Sequence, residues 1–478
     1  MTAKRAAQDA APADLLPGLQ PERVRELNDK GVRNGPYVLY WLQSSQRAEL
    51  NHALEYALER ANELGLPLLV AFGLMDDYPE ANLRHYHFML EGLQDIEQAL
   101  RERGVKFVLQ RGAPDEVALR LARDAALVVC DRDYLRLQRR WRERLAKEAP
   151  CSVVQVESNV VVPVELASGK KEHAARTLRP RLARHLERFL VELPPVETAR
   201  PSLGLDVGGE DLSDVDGLLK QLKLEQQIPP VSLFQGGTAA AKRVLRAFLE
   251  DFGGYAKNRN QPQTNDVSHM SKYLHYGQIS PVYVALEVRK AGANTNTETY
   301  LEELIVRREL PMNFVFYEPD YDRYSALPEW ARRTLAEHKG DAREYLYTRE
   351  QLEDAATHDP YWNAAMKELR HTGYMHNYMR MYWGKKILEW SETPESAFET
   401  TLRLNNTYFL DGRDANSYAN VAWVFGQHDR GWTERPVYGK VRYLSAGGLE
   451  RKADPKGYVK KVDALVEAAR RGARPGEP

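Results

Sequence analysis

Five short, uninterrupted apolar runs in the first third of the chain constrain the fold more than any other feature. They are made of strand-forming residues and lie at 37–42, 68–72, 106–110, 126–130 and 152–156. A strand with one face in water alternates apolar and polar residues, whereas a strand covered on both faces is continuously apolar. Helical spacing marks the charged segments between the runs. Residues 36–190 are therefore predicted to form a doubly wound parallel sheet in a Rossmann-like α/β domain.

A sheet of this kind binds ligands beyond the carboxyl ends of its strands, at the point where the strand order reverses. The loops that qualify follow Leu42, Phe72, Gln110 and Cys130. No Gly-x-Gly-x-x-Gly follows the first run, and there is no phosphate-cradling Walker loop. A classical dinucleotide or nucleoside-triphosphate site is therefore not predicted in this domain.

The rest of the chain divides by composition. Residues 1–35 are interpreted as an N-terminal extension. Residues 191–237 are crowded with Pro, Gly and Asp and hold one short helical piece at 218–226, which indicates a long interdomain linker over the surface. Nearly every periodic segment from 238 to 468 is helical, which predicts an all-α domain. Residues 469–478 are interpreted as a flexible tail.

Charge and cysteine counts exclude several classes of protein. The chain has 67 Lys and Arg against 68 Asp and Glu, a balance that excludes a uniformly basic nucleic-acid coat. Its two cysteines, Cys130 and Cys151, exclude a disulfide framework and a metal cluster on Cys ligands. No metal site is predicted. The sequence shows neither a signal-peptide core nor an apolar run of membrane-spanning length, which predicts a cytoplasmic protein, or a nuclear one in a nucleated cell.

A tryptophan-rich helix pair is predicted at 359–390. Asp359-Pro360 is typical of a helix start, Gly373 of a helix end, and a second helix is predicted from Tyr374 towards Trp390. Trp383 and Trp390 are seven residues apart and share a face of that helix, and Trp362 on the preceding helix can fold back near them. Taken alone, these residues also fit an ordinary aromatic core.

Three further segments combine polar and aromatic residues. Between 430 and 461, nine Lys or Arg face three acidic residues and are interleaved with aromatics, which suits a phosphate backbone with an unstacked base as well as a plain solvated face. Glu303 and Arg307 have the spacing of an ordinary helix-surface ion pair. Ser268 and Ser271 look like helix N-cap residues, and such a hydroxyl-rich start is also a phosphate site.

In this order, the segments resemble those of the photolyase/cryptochrome family from about Pro36 to Lys461. The most specific strings are 375–381 (MHNYMRM), 303–309 (ELIVRRE), 267–271 (VSHMS) and Asp411-Gly412. The strings GYMHNYMRMYWGKKILEW and ARTLRPRL are similar to those of class II cyclobutane pyrimidine dimer photolyases. The resemblance implies an α/β antenna domain, a long linker and a C-terminal helical domain that binds FAD. It also implies light-driven repair of pyrimidine dimers in double-stranded DNA by a monomer.

The resemblance also assigns roles to individual residues. It places Asn405 opposite the flavin N5, with Asn406 and Asn416 as rivals, and Arg380 with Asp411 as a salt bridge beside a reduced, anionic flavin. The implied cofactor-binding residues are Tyr255, Ser268, His269, Met270, Ser271, Asn377, Arg380, Asp411, Arg413 and Asn416. The residues implied to contact the lesion or the duplex are Arg259, Asn260, Glu303, Met381, Trp423, Arg430, Trp432 and Arg442.

The implied reaction is electron donation from photoexcited reduced FAD to a flipped dimer. Glu303 would stabilise the dimer anion, and Trp390, Trp383 and Trp362 would carry electrons from the surface to an oxidised flavin. Class I members have Trp where this chain has Val306 and Val421, which supports class II. A deazaflavin or a folate is a possible antenna chromophore. Two alternatives stay open: a cryptochrome-type blue-light photoreceptor without repair activity, and a nucleotide-binding α/β protein fused to a helical interaction domain.

Overall fold

A computed structural model describes residues 15–225 and 227–471. Its sheet has six strands in the order β1-β6-β5-β2-β3-β4, and all pairs are parallel except β1 with β6. The strands are β1 (Val24–Glu26), β2 (Tyr37–Trp41), β3 (Leu68–Leu74), β4 (Lys106–Arg111), β5 (Ala125–Asp131) and β6 (Ser152–Val156). The order reverses between β2 and β5, so the two adjacent strands lead into opposite halves of the sheet.

The five predicted parallel strands are confirmed as β2–β6, whereas β1 was missed. It lies inside the segment interpreted as an N-terminal extension and pairs Val24 with Val156. Only three residues long and largely solvent-facing, β1 carries none of the continuous apolar signal of the buried strands. The residues around β1 therefore belong to the sheet domain.

Helices cover both faces of the sheet. Those of this domain are α1 (His52–Glu63), α2 (Leu83–Glu102), α3 (Pro114–Ala122), α4 (Arg136–Glu148), α5 (Val164–Ala167), α6 (Ala175–Ala183) and α7 (Leu186–Phe189). Alternate residues of β2 enter different cores: Val38 and Tyr40 pack with α1 and α2, while Leu39 and Trp41 pack with α3 and α4. This alternation explains why the strands are apolar at every position.

The linker lies against the edge of the sheet. The backbone N–H of Lys106 on β4 donates to Ser202 Oγ at 2.6 Å, and the N–H of Glu210 donates to the Leu109 carbonyl at 2.7 Å. In its described residues the linker has one helix, α8 (Val215–Lys220). This helix begins three residues before the predicted piece at 218–226 and ends at Lys220, six residues before the predicted end. Residue 226 lies outside the described residues. The linker thus supplies hydrogen bonds to an otherwise open strand.

The C-terminal part is helical, as predicted. Its α-helices are α9 (Thr238–Glu250), α10 (Tyr255–Asn258), α11 (Ser271–His275), α12 (Pro281–Arg289), α13 (Thr295–Leu301), α14 (Arg308–Tyr317), α15 (Glu329–Glu337), α16 (Arg349–Glu353), α17 (Pro360–Thr372), α18 (Asn377–Trp390), α19 (Pro394–Tyr408), α20 (Ala415–Val424), α21 (Ala446–Glu450) and α22 (Pro455–Arg470). A π-helical turn, Glu302–Arg307, joins α13 to α14. Short 3₁₀ turns occur at Pro21–Arg23, Phe252–Gly254 and Tyr324–Ala326.

The predicted boundary between α17 and α18 is largely confirmed. Asp359 caps α17 by accepting from the N–H of Tyr361 at 2.9 Å, and Gly373 ends it at φ 67°, in the left-handed region that glycine adopts without strain. Helix α18 starts at Asn377 rather than Tyr374, because the His376 side chain accepts from the Tyr378 N–H and serves as its N-cap.

The two domains are joined by buried polar contacts. Arg84 on α2 donates to the carbonyls of Arg370 and Tyr408 at 2.7 and 2.9 Å. From the other side, Glu309 on α14 accepts from the Val161 N–H. Within residues 15–225 and 227–471, no helix has both the length and the apolar content needed to cross a bilayer.

Candidate cofactor and DNA site

The π-helical turn determines where Glu303 points. Hydrogen bonds in such a turn join residues five apart, so its side chains do not follow the i,i+4 spacing of an α-helix. Arg307 accordingly pairs with Glu302 at 3.1 Å, and the interpretation of Glu303 and Arg307 as an ion pair is wrong. Glu303 instead pairs with Arg259 Nη2 at 2.8 Å. The turn therefore directs Glu303 to Arg259, and both residues were predicted to contact the lesion.

Aromatic packing supports the Glu303–Arg259 pair. The Tyr255 ring lies 5.4 Å from Tyr300, and Arg259 lies 5.9 Å above Tyr255. Burial raises the pKa of Tyr255 to about 12, with Glu303 adding to the effect and Arg259 opposing it. Burial raises the pKa of the Tyr300 phenol, and the nearby Ser268 hydroxyl opposes that rise. Tyr255, Arg259, Ser268 and Glu303 therefore belong to one connected wall of the helical domain.

The segment 268–271 does not cap a helix in the way the sequence predicted. Ser271 is the first residue of α11 rather than its cap, and the cap residue, Met270, makes no side-chain cap bond. The Ser268 hydroxyl accepts locally from the Met270 N–H at 3.4 Å. His269 has φ 54° and packs 4.7 Å from Tyr374. Because α11 is only five residues long, the residues around it carry little helical periodicity from which to place its cap.

Arg380 and Asp411 form the predicted salt bridge, at 3.0 Å. The guanidinium lies 3.8 Å over the Phe409 ring, and the carboxylate is buried. Burial by itself raises the pKa of Asp411, but Arg380 and the Ser271 hydroxyl outweigh it and hold that pKa below its usual range. The pair is therefore a fixed charge pair at all ordinary pH values.

A second buried basic residue, Lys272, lies close to this pair. Its ammonium donates to the His269 carbonyl at 2.9 Å and lies 3.6 Å over the Phe234 ring. Burial lowers the pKa of Lys272 to about 7, against the opposing effect of Asp411. Lys272 was not among the residues predicted from the sequence, although its position directly after Ser271 was an available signal. Asp411 therefore has one ion-pair partner, Arg380, and a second basic group nearby that is only partly protonated at neutral pH.

The residues present fit the FAD that the resemblance implies. Asp411 Oδ1 and Trp383 Nε1 are buried and have no hydrogen-bond partner among the described residues. Ser271 and Asn377 are exposed although Met270, Lys272 and His376 beside them are buried. Unpaired buried polar atoms are costly, and a ring system with polar edges would supply their partners. The site therefore has the donors, acceptors and opening that such a cofactor requires.

Hydrogen bonding distinguishes Asn405 from Asn406 and Asn416. The Asn406 amide is fully engaged: its Nδ2 donates to Glu80, and its Oδ1 accepts from Asn405 Nδ2 and the Arg413 N–H, each at 3.0 Å. Asn416 bonds to Asp414 at the start of α20. Asn405 lies on the last turn of α19 and uses only its Nδ2 in these contacts. Its position at the flavin N5 stays a prediction.

Arg413 and Asn416 are not brought together with the other predicted cofactor residues. Arg413 has φ 62°, and this left-handed turn directs its guanidinium to the Asn406 carbonyl at 2.6 Å and to His85 Nε2 at 2.8 Å. It lines a cavity of about 160 Å³ at the switch point of the sheet, together with Gln43, Ser44, Tyr78, Asp133, Tyr134 and Trp141. The predicted contact between the Arg413 side chain and the flavin is therefore corrected to a domain-interface position.

The three predicted relay tryptophans lie in one connected series. Trp362 Nε1 donates to the Trp383 carbonyl at 3.0 Å, and the rings of Trp362 and Trp390 are 5.8 Å apart. Trp383 lies 6.2 Å from Phe409, the ring beneath Arg380. The series therefore begins beside the Arg380–Asp411 pair and leads away from it. Phe409, which links Trp383 to Arg380, was not among the residues predicted from the sequence.

The predicted duplex-binding residues form a cation and aromatic cluster on the surface. The Arg442 guanidinium lies 4.3 Å over Trp432 and 5.7 Å over Trp423, and Arg430 lies 5.2 Å over Trp432. Asp429 is 3.7 Å from Arg442. Trp432 is 36% exposed, unusual for a residue of its size. Asn260 is exposed and Met381 is partly buried; they follow Arg259 and Arg380 in the chain.

A buried lysine that was not predicted from the sequence, Lys385, packs against that cluster. Lys385 on α18 donates to the Val424 carbonyl and lies 5.2 Å from the Trp423 ring. Burial lowers its pKa to about 7.

Comparison with known proteins identifies the family. A family model described as DNA photolyase matches residues 38–201. A deoxyribodipyrimidine photo-lyase of Methanothermobacter thermautotrophicus is 49% identical over 94% of this chain and 100% of its own length. One from Oryza sativa is 39% identical, covering 93% and 91%, and one from Potorous tridactylus is 37% identical, covering 89% and 81%.

Solved structures share the fold at low sequence identity. An archaeal photolyase from Sulfolobus tokodaii, solved with two FAD molecules, has a TM-score of 0.67 and 19% identity and covers 92% of this chain and 95% of its own. A Synechocystis cryptochrome has a TM-score of 0.67 and 16% identity, covering 90% and 88%. With relatives from an archaeon, a plant and a marsupial that fit the class II group, the chain belongs to the DNA photolyase family.

Proposed function

We propose that this chain repairs cyclobutane pyrimidine dimers in DNA by light-driven electron transfer. The observation that carries the proposal is the Arg380–Asp411 pair with its unpaired buried atoms, close to Lys272 and at the inner end of a tryptophan series. When bound, reduced FAD supplies the photoexcited electron that splits the dimer. The residues of the chain supply orientation, charge and exclusion of water.

The inner charges set the redox state that repair requires. Arg380 is paired with Asp411, and Lys272 nearby adds positive charge when it is protonated, which favours a bound anion. A fixed cation beside a reduced flavin stabilises its negative charge without reorganising during the reaction. We infer that Arg380 does this directly and that Asp411 holds Arg380 in position.

Glu303 and Arg259 act on the lesion. Their side chains are 35% and 20% exposed, so the pair faces an opening while remaining hydrogen-bonded. Negative charge that develops on the dimer is stabilised by a positioned donor or cation. We infer that Arg259 supplies the cation and that Glu303 orients it and contacts the lesion, together with Met381 and Trp423.

The surface cluster of Trp423, Arg430, Trp432 and Arg442 holds the duplex. Linked thymines stack and pair poorly, so extruding them costs less than extruding intact bases, and this difference gives selectivity without sequence readout. Exposed guanidiniums bind phosphates, and an exposed indole can stack on a base. The cluster combines both at one place.

The remaining parts serve light capture and activation. We infer that Trp390, Trp362 and Trp383 pass an electron inward to an oxidised cofactor. The cavity at the switch point of the sheet has aromatic walls and accommodates part of an antenna chromophore, either a deazaflavin or a folate. Since one chain supplies all these residues, we infer that it acts as a monomer. We also infer that it acts where DNA is, in the cytoplasm or, in a nucleated cell, in the nucleus.

A repair assay tests this function. Protein with chemically pre-reduced FAD is mixed with a duplex oligonucleotide that contains one thymine dimer, and blue light is expected to restore the thymines. The same mixture in the dark is the control and should remain unrepaired. Absence of repair in the light would contradict the proposal and favour a photoreceptor.

A further inference from the structure

A basic cleft of about 620 Å³ lies between α4, the chain around β1 and Phe316 near the end of α14. It shares only Arg132 with the cavity at the switch point of the sheet. Its volume is within the range of small-molecule sites. Two carboxylates line the cleft, those of Asp29 and Glu143. The cations that line it are Arg25, Lys30, Arg132, Arg139, Arg142 and Lys147. This excess of positive charge indicates an anionic ligand.

Arg142 is a buried cation of this cleft without a counter-ion. It is only 8% exposed, and its Nη2 donates to the Asp133 carbonyl at 2.6 Å. Among residues 15–225 and 227–471 it forms no ion pair, whereas Arg25 of the same cleft pairs with Glu165 at 3.4 Å. Burial lowers the pKa of Arg142; Asp133 opposes this effect and Arg132 adds to it. An uncompensated buried charge is costly, so a bound anion would stabilise this part of the fold.

The Phe316 ring holds two further guanidiniums in position. Arg132 lies 5.1 Å and Arg139 5.0 Å from the centre of this ring. Arg132 is balanced by Glu157 and Glu165, at 2.8 and 2.6 Å. Arg139 donates to the Phe316 carbonyl at 3.1 Å and has no carboxylate partner in the described part of the chain. The planar fork of an arginine suits the oxygens of a phosphate, so Arg139 has donors ready for such a group.

The unpaired cations form a stripe along one face of α4. Arg139, Arg142 and Lys147 span eight residues, which is about 12 Å along a helix axis. Lys147 is exposed and, within the residues described, has no ion-pair partner. At this end of the stripe, the Lys30 ammonium donates to the Lys147 carbonyl at 2.9 Å. Because the stripe is longer than one phosphate, it favours a ligand that carries several phosphoryl groups in a row.

We propose that the basic cleft binds a ligand with several linked phosphoryl groups, supplied either by inorganic polyphosphate or by the phosphate tail of a nucleotide. Arg142 and Arg139 bind the phosphate oxygens, and Lys147 extends the contact at the exposed end. The cleft shares no lining residue with the Arg380–Asp411 pair or with the surface cluster. Its occupation is therefore a second binding activity, separate from the proposed repair of DNA.

Isothermal titration of the FAD-loaded protein with sodium tripolyphosphate, at constant ionic strength, tests the proposal. One saturable site is expected, and tripolyphosphate at about one hundred times its Kd should raise the melting temperature by about 3 °C. Arg142→Met should weaken binding by about tenfold or more without lowering the melting temperature of the free protein, because it removes an unpaired buried charge. Arg140→Gln is the matched control: Arg140 is exposed on the same helix but does not line the cleft.

Two further variants decide the question if Arg142→Met does not fold. Arg139→Gln and Lys147→Gln should each weaken tripolyphosphate binding by about fivefold. Arg442→Ala, in the surface cluster, should leave it unchanged. Absence of saturable binding, or binding that is lost in Arg442→Ala and kept in the cleft variants, would overturn the proposal. Titration with cytidine triphosphate distinguishes the two sources: equal affinity supports polyphosphate, and tighter binding that still depends on Arg139 supports a nucleotide.

Discussion

The same three-part unit occurs at two depths of the helical domain. In the inner unit Arg380 lies 3.8 Å over Phe409 and 3.0 Å from Asp411; in the outer unit Arg442 lies 4.3 Å over Trp432 and 3.7 Å from Asp429. The inner arginine makes a hydrogen bond to its carboxylate, whereas the outer distance is too long for one. An arginine held tightly supplies a fixed charge, and one held loosely can turn towards a phosphate.

The surroundings strengthen this difference. The ring beneath Arg380 is fully buried, whereas the ring beneath Arg442 is exposed. Charges inside a protein interact more strongly and are screened less by salt than charges at its surface. The inner unit should therefore determine cofactor binding and stability, and the outer unit should determine salt-dependent DNA affinity.

The largest effect is expected from removing the inner carboxylate. Asp411→Ala leaves the buried side of the Arg380 guanidinium without its ion-pair partner and should lower the free energy of unfolding by about 3 kcal/mol. Bound flavin should fall with it. Urea unfolding and the flavin-to-protein absorbance ratio measure the two effects. Asp429→Ala, the same change in the outer unit, should cost less than about 1 kcal/mol, and equal losses would refute the distinction.

The next effect concerns the relay that starts at the inner unit. Trp383→Phe removes the indole nearest to Phe409 and should slow photoreduction of oxidised FAD by about tenfold or more. Absorbance changes under continuous blue light measure that rate. Trp330→Phe, a tryptophan of the same domain outside the series, serves as the control. Photoreduction at the normal rate in Trp383→Phe would exclude this route.

A smaller effect is expected from weakening the Glu303–Arg259 pair. Glu303→Gln weakens the hold on Arg259 and should lower the quantum yield of repair by about fivefold. The yield is measured with pre-reduced enzyme and saturating dimer-containing DNA. Glu302→Gln is the matched control, since Glu302 pairs with Arg179 and Arg307 on the outside of the same turn. Identical yields in both variants would remove Glu303 from the lesion site.

The smallest effect is expected in the outer unit. Arg442→Ala should weaken binding to damaged and undamaged duplex alike by about threefold and reduce the slope of log affinity against log salt by about 0.9. Fluorescence anisotropy at several salt concentrations measures both. Arg451→Ala removes a charge from the same basic region but outside the cluster. A loss of affinity confined to damaged DNA would show that Arg442 contacts the lesion instead of a phosphate.

Local signals predicted much of this architecture. Continuous apolar runs identified β2–β6, and Asp359-Pro360 with Gly373 identified the ends of α17, because burial and capping depend on neighbouring residues. The resemblance supplied the Arg380–Asp411 pair, which lies across 31 positions of sequence. Spacing failed at Glu303 because it assumed an α-helix where the chain forms a π-turn. Spacing also could not predict where the Arg413 side chain points, because the left-handed backbone at this residue turns it towards the sheet domain.

The hydrogen bonds between the linker and β4 have a practical consequence for dividing the protein. An expression boundary placed at residue 190 would strip Ser202 and Glu210 from the strand they pair with and leave a bare edge that invites aggregation. A truncated sheet domain should therefore retain the chain to about the end of α8. The linker between the two domains is therefore structurally part of the sheet domain.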